Sequence, residues 1–136
     1  MKELTVQAKT ENLDEVLAFV NKELEAKDCD PGIQIQIDLA VEELFVNIAH
    51  YAYQNMIGTA TVLVEILNAP TRVEITLMDN GTPYDPLSRE DPNLDVPAEE
   101  RPIGGLGIFL VKENMDHVSY AYKDKKNILT IRKKLS

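Results

Sequence analysis

The sequence predicts an α+β fold in which helices cover one face of a mostly antiparallel sheet, giving two layers. Three observations predict it. The first half contains two stretches with apolar residues at helical spacing, the middle contains two adjacent stretches of strand-like alternation, and two further strand-like stretches close the chain. A length of 136 residues is typical of one domain with its own core, so we expect a single domain over residues 1–136.

The elements of the first half follow from periodicity and capping. Residues 3–8 alternate weakly and predict a first strand. Residues 10–28 place leucine and valine at helical spacing, and Thr10 is the expected N-cap of this helix. An Asp-Pro pair at residues 30–31 predicts the start of a longer helix, with the aspartate as N-cap and the proline in the first turn. That helix is expected to run to about Tyr53.

The second half predicts strands that flank a long loop. Residues 59–67 and 72–79 alternate and are joined by a turn sequence, which predicts a hairpin. Residues 80–104 contain five prolines and no sustained period, and a loop of this length in a compact domain is usually functional or mobile. A helix is expected over residues 106–115. The chain then closes with two strands, residues 117–122 and 128–135.

Composition and charge exclude several classes of function. The formal net charge of −9 argues against a protein whose main role is to bind nucleic acid or an anionic membrane surface. The single cysteine, Cys29, permits no internal disulfide and favours a reducing compartment, and a small buried thiol is its simplest interpretation. The N-terminal residues contain no apolar signal region and no segment has the length of a membrane span, so we expect a cytoplasmic protein.

Three polar residues share one face of the longer helix. Glu43 and Asn47 are four residues apart and His50 follows three residues later, so all three lie on one side. Asn47 offers a neutral oxygen to a cation such as Mg²⁺, Glu43 can orient or deprotonate a water or hydroxyl, and a protonated His50 can contact phosphate. Glu42 lies about 100° away around the helix and is less suited to join them. A solvated polar stripe is the alternative interpretation.

An aspartate follows the buried face of the second hairpin strand. Val73, Ile75 and Leu77 share one parity, and Asp79 continues it. A charge on that face is costly unless it has partners, and a partly desolvated carboxylate is a good acceptor for an exocyclic amine such as that of adenine. Gly81 would let the backbone approach the same ligand. The alternative is a simple strand end followed by an Asp-Asn-Gly turn.

Three glycines precede the third helix. The stretch that contains Gly104, Gly105 and Gly107 lacks the third glycine and preceding strand of a dinucleotide fingerprint, and it lacks the Gly-Lys-Ser/Thr of a P-loop. A glycine turn that leads into a helix N-terminus can nevertheless form an anion site, although a plain tight turn is the alternative. With the two features above, it predicts one ligand that combines adenine, magnesium and a polyphosphate.

The order of the segments EELFVN, DNGTPYDP and GGLGIFLVK resembles the gyrase/histidine-kinase (GHKL) ATPase superfamily. The similarity is greatest to its small bacterial branch of anti-sigma-factor serine/threonine kinases. The three segments span roughly residues 38–113 in the natural order, and the flanking elements fit as well. The resemblance implies the Bergerat ATP-binding fold, an α/β sandwich with a mixed, mostly antiparallel sheet, and it implies ATP and Mg²⁺ as ligands.

The resemblance also implies a role for each matching residue. By position, Glu43 matches the general base, Asn47 the magnesium ligand, Asp79 the residue that binds the adenine amine, and Gly81 the glycine beside the base. A turn that covers the phosphates and an ATP lid over about residues 82–104 are implied as well. The residues of that turn are Gly104, Gly105, Leu106 and Gly107. Arg101 is the candidate in the lid for sensing the terminal phosphate.

Two positions depart from the pattern of the superfamily. Related histidine kinases often carry a lysine where this chain has His50, and histidine makes a weaker and pH-dependent phosphate contact. The last strand often carries a nucleotide-contacting threonine after a glycine, whereas Thr130 follows no glycine. A phosphoacceptor-histidine domain is not expected, which argues against a stand-alone histidine kinase.

The resemblance implies a function and the partners that go with it. It implies an Mg·ATP-dependent serine/threonine protein kinase that acts on an anti-anti-sigma-type (STAS-like) regulator, with a sigma factor as a further partner and an anti-sigma-like switching role. The alternatives are a non-catalytic, nucleotide-dependent switch that sequesters a protein partner, and a scaffold that binds no nucleotide. We expect no nucleic acid or membrane partner, and a homodimer is possible.

Overall fold

A five-stranded sheet forms one layer and helices form the other in a computed structural model that describes residues 1–53, 56–88 and 106–136. The strand order is β1-β2-β3-β5-β4, and every neighbouring pair is antiparallel. This confirms the predicted fold class, with antiparallel pairing throughout where the resemblance implied a mixed sheet. The strands are β1 (Lys2–Gln7), β2 (Thr59–Leu67), β3 (Arg72–Asp79), β4 (His117–Lys123) and β5 (Lys126–Lys134).

The helices are α1 (Leu13–Glu25), α2 (Pro31–Tyr51) and α3 (Leu106–Asn114). Helix α2 begins as predicted, because the Asp30 carboxylate accepts hydrogen bonds from the backbone N–H groups of Gly32 (3.1 Å) and Ile33 (3.2 Å). Every helix in the described ranges falls short of what a bilayer-spanning segment requires in length or hydropathy.

The prediction that Thr10 caps the first helix is wrong. Residues Thr10–Asn12 form a short 3-10 turn, and α1 begins only at Leu13. The Asn12 side chain, which stands at the N-cap position, donates to the Gln7 carbonyl (2.9 Å) instead of capping the helix. The chain leaving β1 is therefore held to the strand before it turns into the helix.

The core lies between the helices and one face of the sheet. Every second residue is buried throughout β3 and along most of β2 and β5, and α2 contributes its apolar side to the same core. Among the largest side chains that are fully buried are Leu24, Ile37, Phe45, Ile75 and Ile131. Cys29 is buried at the edge of this core, and burial raises the pKa of its thiol.

The opposite face of the sheet is polar in part. Thr76 and Thr130 lie opposite each other on it, and their hydroxyl oxygens are 3.4 Å apart. Arg132 forms an ion pair with Glu74 on the same face (2.7 Å). The described helices therefore cover the other face, as the sequence predicts.

Strand β3 is central and its last residue, Asp79, is the point around which the candidate site is built. Asp79 lies opposite Ala60 of β2 and opposite Asn127 of β5. The chain then passes the end of α2, where the Thr82 N–H donates to the Ala52 carbonyl (2.9 Å). In the predicted loop the described part contains one 3-10 turn, Pro86–Ser88, and residues 89–105 lie outside the described residues.

Candidate functional site

The polar face of α2 brings Glu43 and Asn47 together. Both side chains are half-buried, and Asn47 Nδ2 donates to Glu43 Oε1 over 3.3 Å. This bond uses the donor of the carboxamide, so its oxygen is the group suited to a hard cation. His50 is exposed and packs edge-on against Tyr51, with 6.0 Å between ring centroids. Within the described residues, His50 belongs to the wall of neither cavity described below.

The start of α3 lies against the Glu43 carboxylate. A Cβ atom placed on Gly107 would lie 2.2 Å from Glu43 Cδ and 2.3 Å from Oε2, which is closer than any real contact. Glycine is therefore required here for the carboxylate to stay where it is. Leu106 is the first residue of α3. Of the other predicted site residues, Arg101, Gly104 and Gly105 lie outside the described residues.

A cavity of about 170 Å³ lies between α2 and α3. Glu43 and Gly107 contribute to its wall, and so does the exposed Glu42, which the helical wheel had placed away from Glu43. The remaining lining residues are Gln36, Leu39, Ala40, Leu110, Val111 and Asn114. The Glu43 carboxylate is thus accessible from a space that both helices enclose.

Asp79 is buried, and one of its carboxylate oxygens accepts two hydrogen bonds. It is 5% exposed, and its Oδ1 accepts from the Gly81 N–H (2.8 Å) and from Asn127 Nδ2 (2.9 Å). Burial of a carboxylate is costly unless such bonds are made. The residue therefore lies on the buried face, in phase with Val73, Ile75 and Leu77, while its role toward a ligand remains a prediction.

Asn127 is the main residue of this region that the sequence reasoning missed. It is 7% exposed and lies directly across the strand pair from Asp79. A signal was present, because Asn127 continues the buried parity of Leu129 and Ile131 just as Asp79 continues that of β3. Thr130, the position suggested by the resemblance, has the opposite parity and faces the other side of the sheet, where its hydroxyl lies near that of Thr76.

A smaller cavity of about 40 Å³ adjoins Asp79. Its wall is mainly apolar, and it includes Asn47, which hydrogen-bonds Glu43 of the neighbouring cavity. Tyr51 and Tyr84 form its exposed rim. The enclosed volume suffices for a few water molecules, so a larger ligand must extend beyond it. The remaining lining residues are Leu44, Ile48, Ala52, Leu77, Thr82, Pro86, Tyr120, Asn127 and Leu129.

The turn after Asp79 is held tightly to the end of α2. A Cβ atom on Gly81 would lie 2.2 Å from the Ala52 carbonyl oxygen, which is backbone and cannot move aside. The Tyr53 hydroxyl donates to the Thr59 carbonyl (2.6 Å) and accepts from the Asn80 N–H (2.8 Å). Burial raises the pKa of that hydroxyl. The Gly81 N–H is thus held at the Asp79 carboxylate, and the role of Gly81 toward a ligand remains a prediction.

Comparison with known proteins gives a consistent result. A protein-family model described as the histidine kinase-like ATPase domain matches residues 6–133. The serine-protein kinase RsbW of a Bacillus cereus strain is 30% identical over 95 residues, which is 67% of this chain and 58% of the relative. RsbW of a Bacillus thuringiensis strain is 28% identical over 95 residues, which is again 67% of this chain and 58% of the relative. This alignment thus covers less than two thirds of these curated relatives.

A solved structure has the same fold. The crystal structure of the RsbU and RsbW domains of Rv1364c from Mycobacterium tuberculosis superposes with a TM-score of 0.63 at 12% identity. The match covers 99% of this chain and 33% of that chain. At this level of identity the likeness shows the fold alone.

Proposed function

Because the chain belongs to the histidine kinase-like ATPase family, we propose that it binds Mg·ATP and phosphorylates a serine or threonine of a protein partner. One observation supports this most strongly. Asn47 lines the cavity beside the buried Asp79 and also hydrogen-bonds Glu43, which lies under the start of α3. One face of α2 therefore connects a site suited to a nucleobase with a site suited to phosphate chemistry.

The Asp79 end fits adenine. With Oδ1 occupied by two donors, Oδ2 is the oxygen with full acceptor capacity, and the 6-amino group of adenine is a matching donor. The surrounding wall is largely apolar, as a flat aromatic base requires. Tyr51 and Tyr84 at the rim have exposed rings against which such a base can pack.

The Glu43 end fits magnesium only together with a phosphate ligand. Within the described ranges, no group of three or more His, Cys, Asp or Glu side chains could hold a metal ion alone. Magnesium commonly binds through one or two protein oxygens with waters and substrate phosphates completing its shell, and Asn47 supplies one such oxygen. When bound, the ion neutralises charge on the phosphates.

In the proposed transfer, Glu43 accepts the proton of the partner's hydroxyl group. The hydroxyl oxygen forms a bond to the γ-phosphorus while the bond from that phosphorus to the β–γ bridging oxygen breaks, and ADP leaves. The first backbone N–H groups of α3 have no acceptor within the helix, and such groups are suited to binding the phosphates. We propose an anti-anti-sigma-type, STAS-like regulator as the partner, because relatives are named serine-protein kinases of the RsbW type.

Nucleotide binding is the first test. Calorimetry with ATP, with and without Mg²⁺, is expected to show binding to the wild-type protein. Asp79→Asn keeps an oxygen for the two internal donors but replaces the outward acceptor by an amide, so we expect affinity to fall about 10- to 100-fold. Absence of ATP binding to the wild-type protein would contradict the proposal.

Phosphoryl transfer is the second test. With Mg·ATP labelled on the γ-phosphate and a STAS-like regulator, Glu43→Gln is expected to slow labelling of the regulator by about 100-fold or more while ATP binding is retained. Glu15→Gln, an exposed helical glutamate of α1, is the matched control and should label normally. If the wild-type protein binds both ATP and the regulator but transfers no label, the non-catalytic switch replaces the kinase.

A further inference from the structure

The Asn127 side chain forms four hydrogen bonds with one consistent assignment. Its Nδ2 donates to Asp79 Oδ1 (2.9 Å) and to the Thr82 carbonyl (3.0 Å). Its Oδ1 accepts from the Tyr84 N–H (3.2 Å) and from the Tyr120 hydroxyl. Both donors and both acceptor positions of the carboxamide are therefore used, and no other side chain of this size offers two of each on one planar group.

These bonds decide how Asp79 can meet a ligand. The Asn127 donor and the Gly81 N–H both bind Oδ1, which keeps the carboxylate in one orientation. Without the Asn127 donor, the carboxylate loses a bond that holds it in place, and a proton on it would convert an acceptor into a donor. The same amide also ties Thr82 and Tyr84, the first residues of the long loop, to β5.

We propose that Asn127 is a positioning residue that holds Asp79 as an oriented acceptor and thereby sets the preference for a 6-amino over a 6-oxo purine. A 6-amino group donates to the free oxygen of Asp79, whereas a 6-oxo group places one acceptor against another. This inference rests on the proposed binding of an adenine nucleotide. The competing interpretation is that Asn127 only clamps the loop to the sheet.

Asn127→Asp tests the inference through a pH profile. The variant keeps the size of the side chain but brings a second carboxylate to the position 2.9 Å from Asp79 Oδ1, so one proton is shared by the pair at low pH. That proton restores a donor to Asp79. We expect ADP affinity relative to wild type to be about 10- to 100-fold lower near pH 8 and to recover as the pH is lowered from there.

The other titratable groups around this pair do not produce such a profile. Burial raises the pKa of the Tyr53 and Tyr120 hydroxyls above their ordinary value of 10.0, so neither changes charge in this range. The groups that surround the pair from the described elements are Tyr53, Tyr84, Asp85 and Tyr120. All of them are present in the wild-type protein, so the ratio of variant to wild type removes their contribution.

A second variant and a control complete the experiment. Asn127→Ala removes the donor without adding a proton site, so its ADP affinity should fall and should not recover at low pH. Asn68→Asp makes the same change of charge at an exposed residue next to the opposite end of the β2–β3 hairpin and should behave as wild type. Each protein is titrated with ADP and with inosine diphosphate, and thermal unfolding is recorded to show that it is folded.

The decisive quantity is the ratio of ADP to inosine diphosphate affinity. The inference predicts that this ratio falls about 10-fold or more in Asn127→Ala, and in Asn127→Asp near pH 8. If folded variants weaken both nucleotides equally at every pH, or weaken neither, Asn127 is only a clamp and the inference is overturned. If the wild-type protein itself binds no adenine nucleotide, the proposed function fails instead.

Discussion

Near the end of α2, the Asp79 carboxylate is held by a backbone N–H and a buried side chain (the Asp79 end of the site). Farther back along α2, Glu43 contacts Asn47 through side chains alone among the described residues (the Glu43 end). Asp79 is 5% exposed and receives two donors, one of them a backbone N–H. Glu43 is half-buried, and its carboxylate accepts a hydrogen bond from Asn47 over 3.3 Å. The two glycines differ in the same way. A Cβ atom on Gly81 would collide with the backbone of Ala52, whereas one on Gly107 would collide with the movable carboxylate of Glu43.

Under the proposed function, this difference would separate recognition of the nucleotide from the chemistry of transfer. Groups fixed by strand register and backbone hydrogen bonds cannot adjust without disturbing the fold, which suits the selection of a rigid base. A carboxylate at the end of a flexible side chain can change rotamer at small cost, which suits a group that must take up a proton during a reaction. We therefore expect substitutions at the Asp79 end to change stability and those at the Glu43 end to change rate.

The largest effect on stability is expected for Gly81→Ala. The new Cβ would lie 2.2 Å from the Ala52 carbonyl oxygen and 2.6 Å from the Ala52 Cβ, so the backbone must shift. We expect the free energy of unfolding to fall by about 2–3 kcal/mol in urea denaturation. Gly32→Ala in the first turn of α2 is the control, because its Cβ would meet only the Asp30 side chain at 3.2 Å. Equal stability of the two variants would contradict a rigid Asp79 end.

A smaller loss is expected for Tyr53→Phe. This change removes the hydroxyl that joins Thr59 to Asn80 and should cost about 1–2 kcal/mol in the same assay. Tyr51→Phe is the matched control, since Tyr51 is 60% exposed and its loss of a hydroxyl should change stability by about 0.5 kcal/mol or less. If both variants unfold alike, the Tyr53 bonds contribute little to holding the turn.

Gly107→Ala should have the opposite character. Alanine is favoured over glycine within a helix by about 0.5–1 kcal/mol, so stability should stay the same or rise slightly. The new Cβ, however, displaces the Glu43 carboxylate, and phosphoryl transfer should slow by about 10-fold or more. Parallel measurement of unfolding and transfer checks this. A variant that transfers at the normal rate would show that the position of Glu43 does not depend on α3.

The smallest effect on stability is expected for Asp38→Asn. Unlike Asp79, which accepts two hydrogen bonds, Asp38 has a carboxylate oxygen without a partner in the described part of the chain. Asp38 Oδ1 is buried with no hydrogen-bond partner among the described residues. Burial raises the pKa of this carboxyl, a hydrogen bond from Asn21 lowers it, and the charge of Glu25 raises it, with a net increase.

The sign of the pH dependence follows from that increase. The folded protein binds this proton more tightly than the unfolded chain, so the carboxylate costs stability above its ordinary pKa of 3.8. Asp38→Asn should therefore raise the unfolding temperature by about 2 °C near neutral pH, and the gain should vanish below about pH 4. A gain that is independent of pH would show that the charge of Asp38 is not its cause.

Much of the fold and part of the candidate site could be predicted because their causes are local. The bounds of β2 and β3 follow from alternation, and the start of α2 follows from an aspartate that caps its own helix. The proximity of Glu43 and Asn47 follows from the pitch of one helix. The burial of Asp79 follows from the parity of one strand.

The start of α1 and the place of His50 could not be predicted in the same way. Asn12 bonds back to Gln7 of β1 rather than capping the helix, and this delays the helix to Leu13. His50 shares a helical face with Glu43, but it lies near the end of α2, beyond the part that other elements cover. Both outcomes depend on neighbouring elements, through a hydrogen bond to β1 for Asn12 and through the absence of covering described residues for His50.

The sequence by itself determined the α+β class, the order of the elements and which residues share a face, since these depend on periods within single segments. Only the tertiary structure decided that β5 pairs with β3 in the register that places Asn127 opposite Asp79, 48 residues away. It also decided that α3 begins against Glu43. Pairing and packing depend on the whole chain at once, and no local pattern encodes the register of one strand against a distant one.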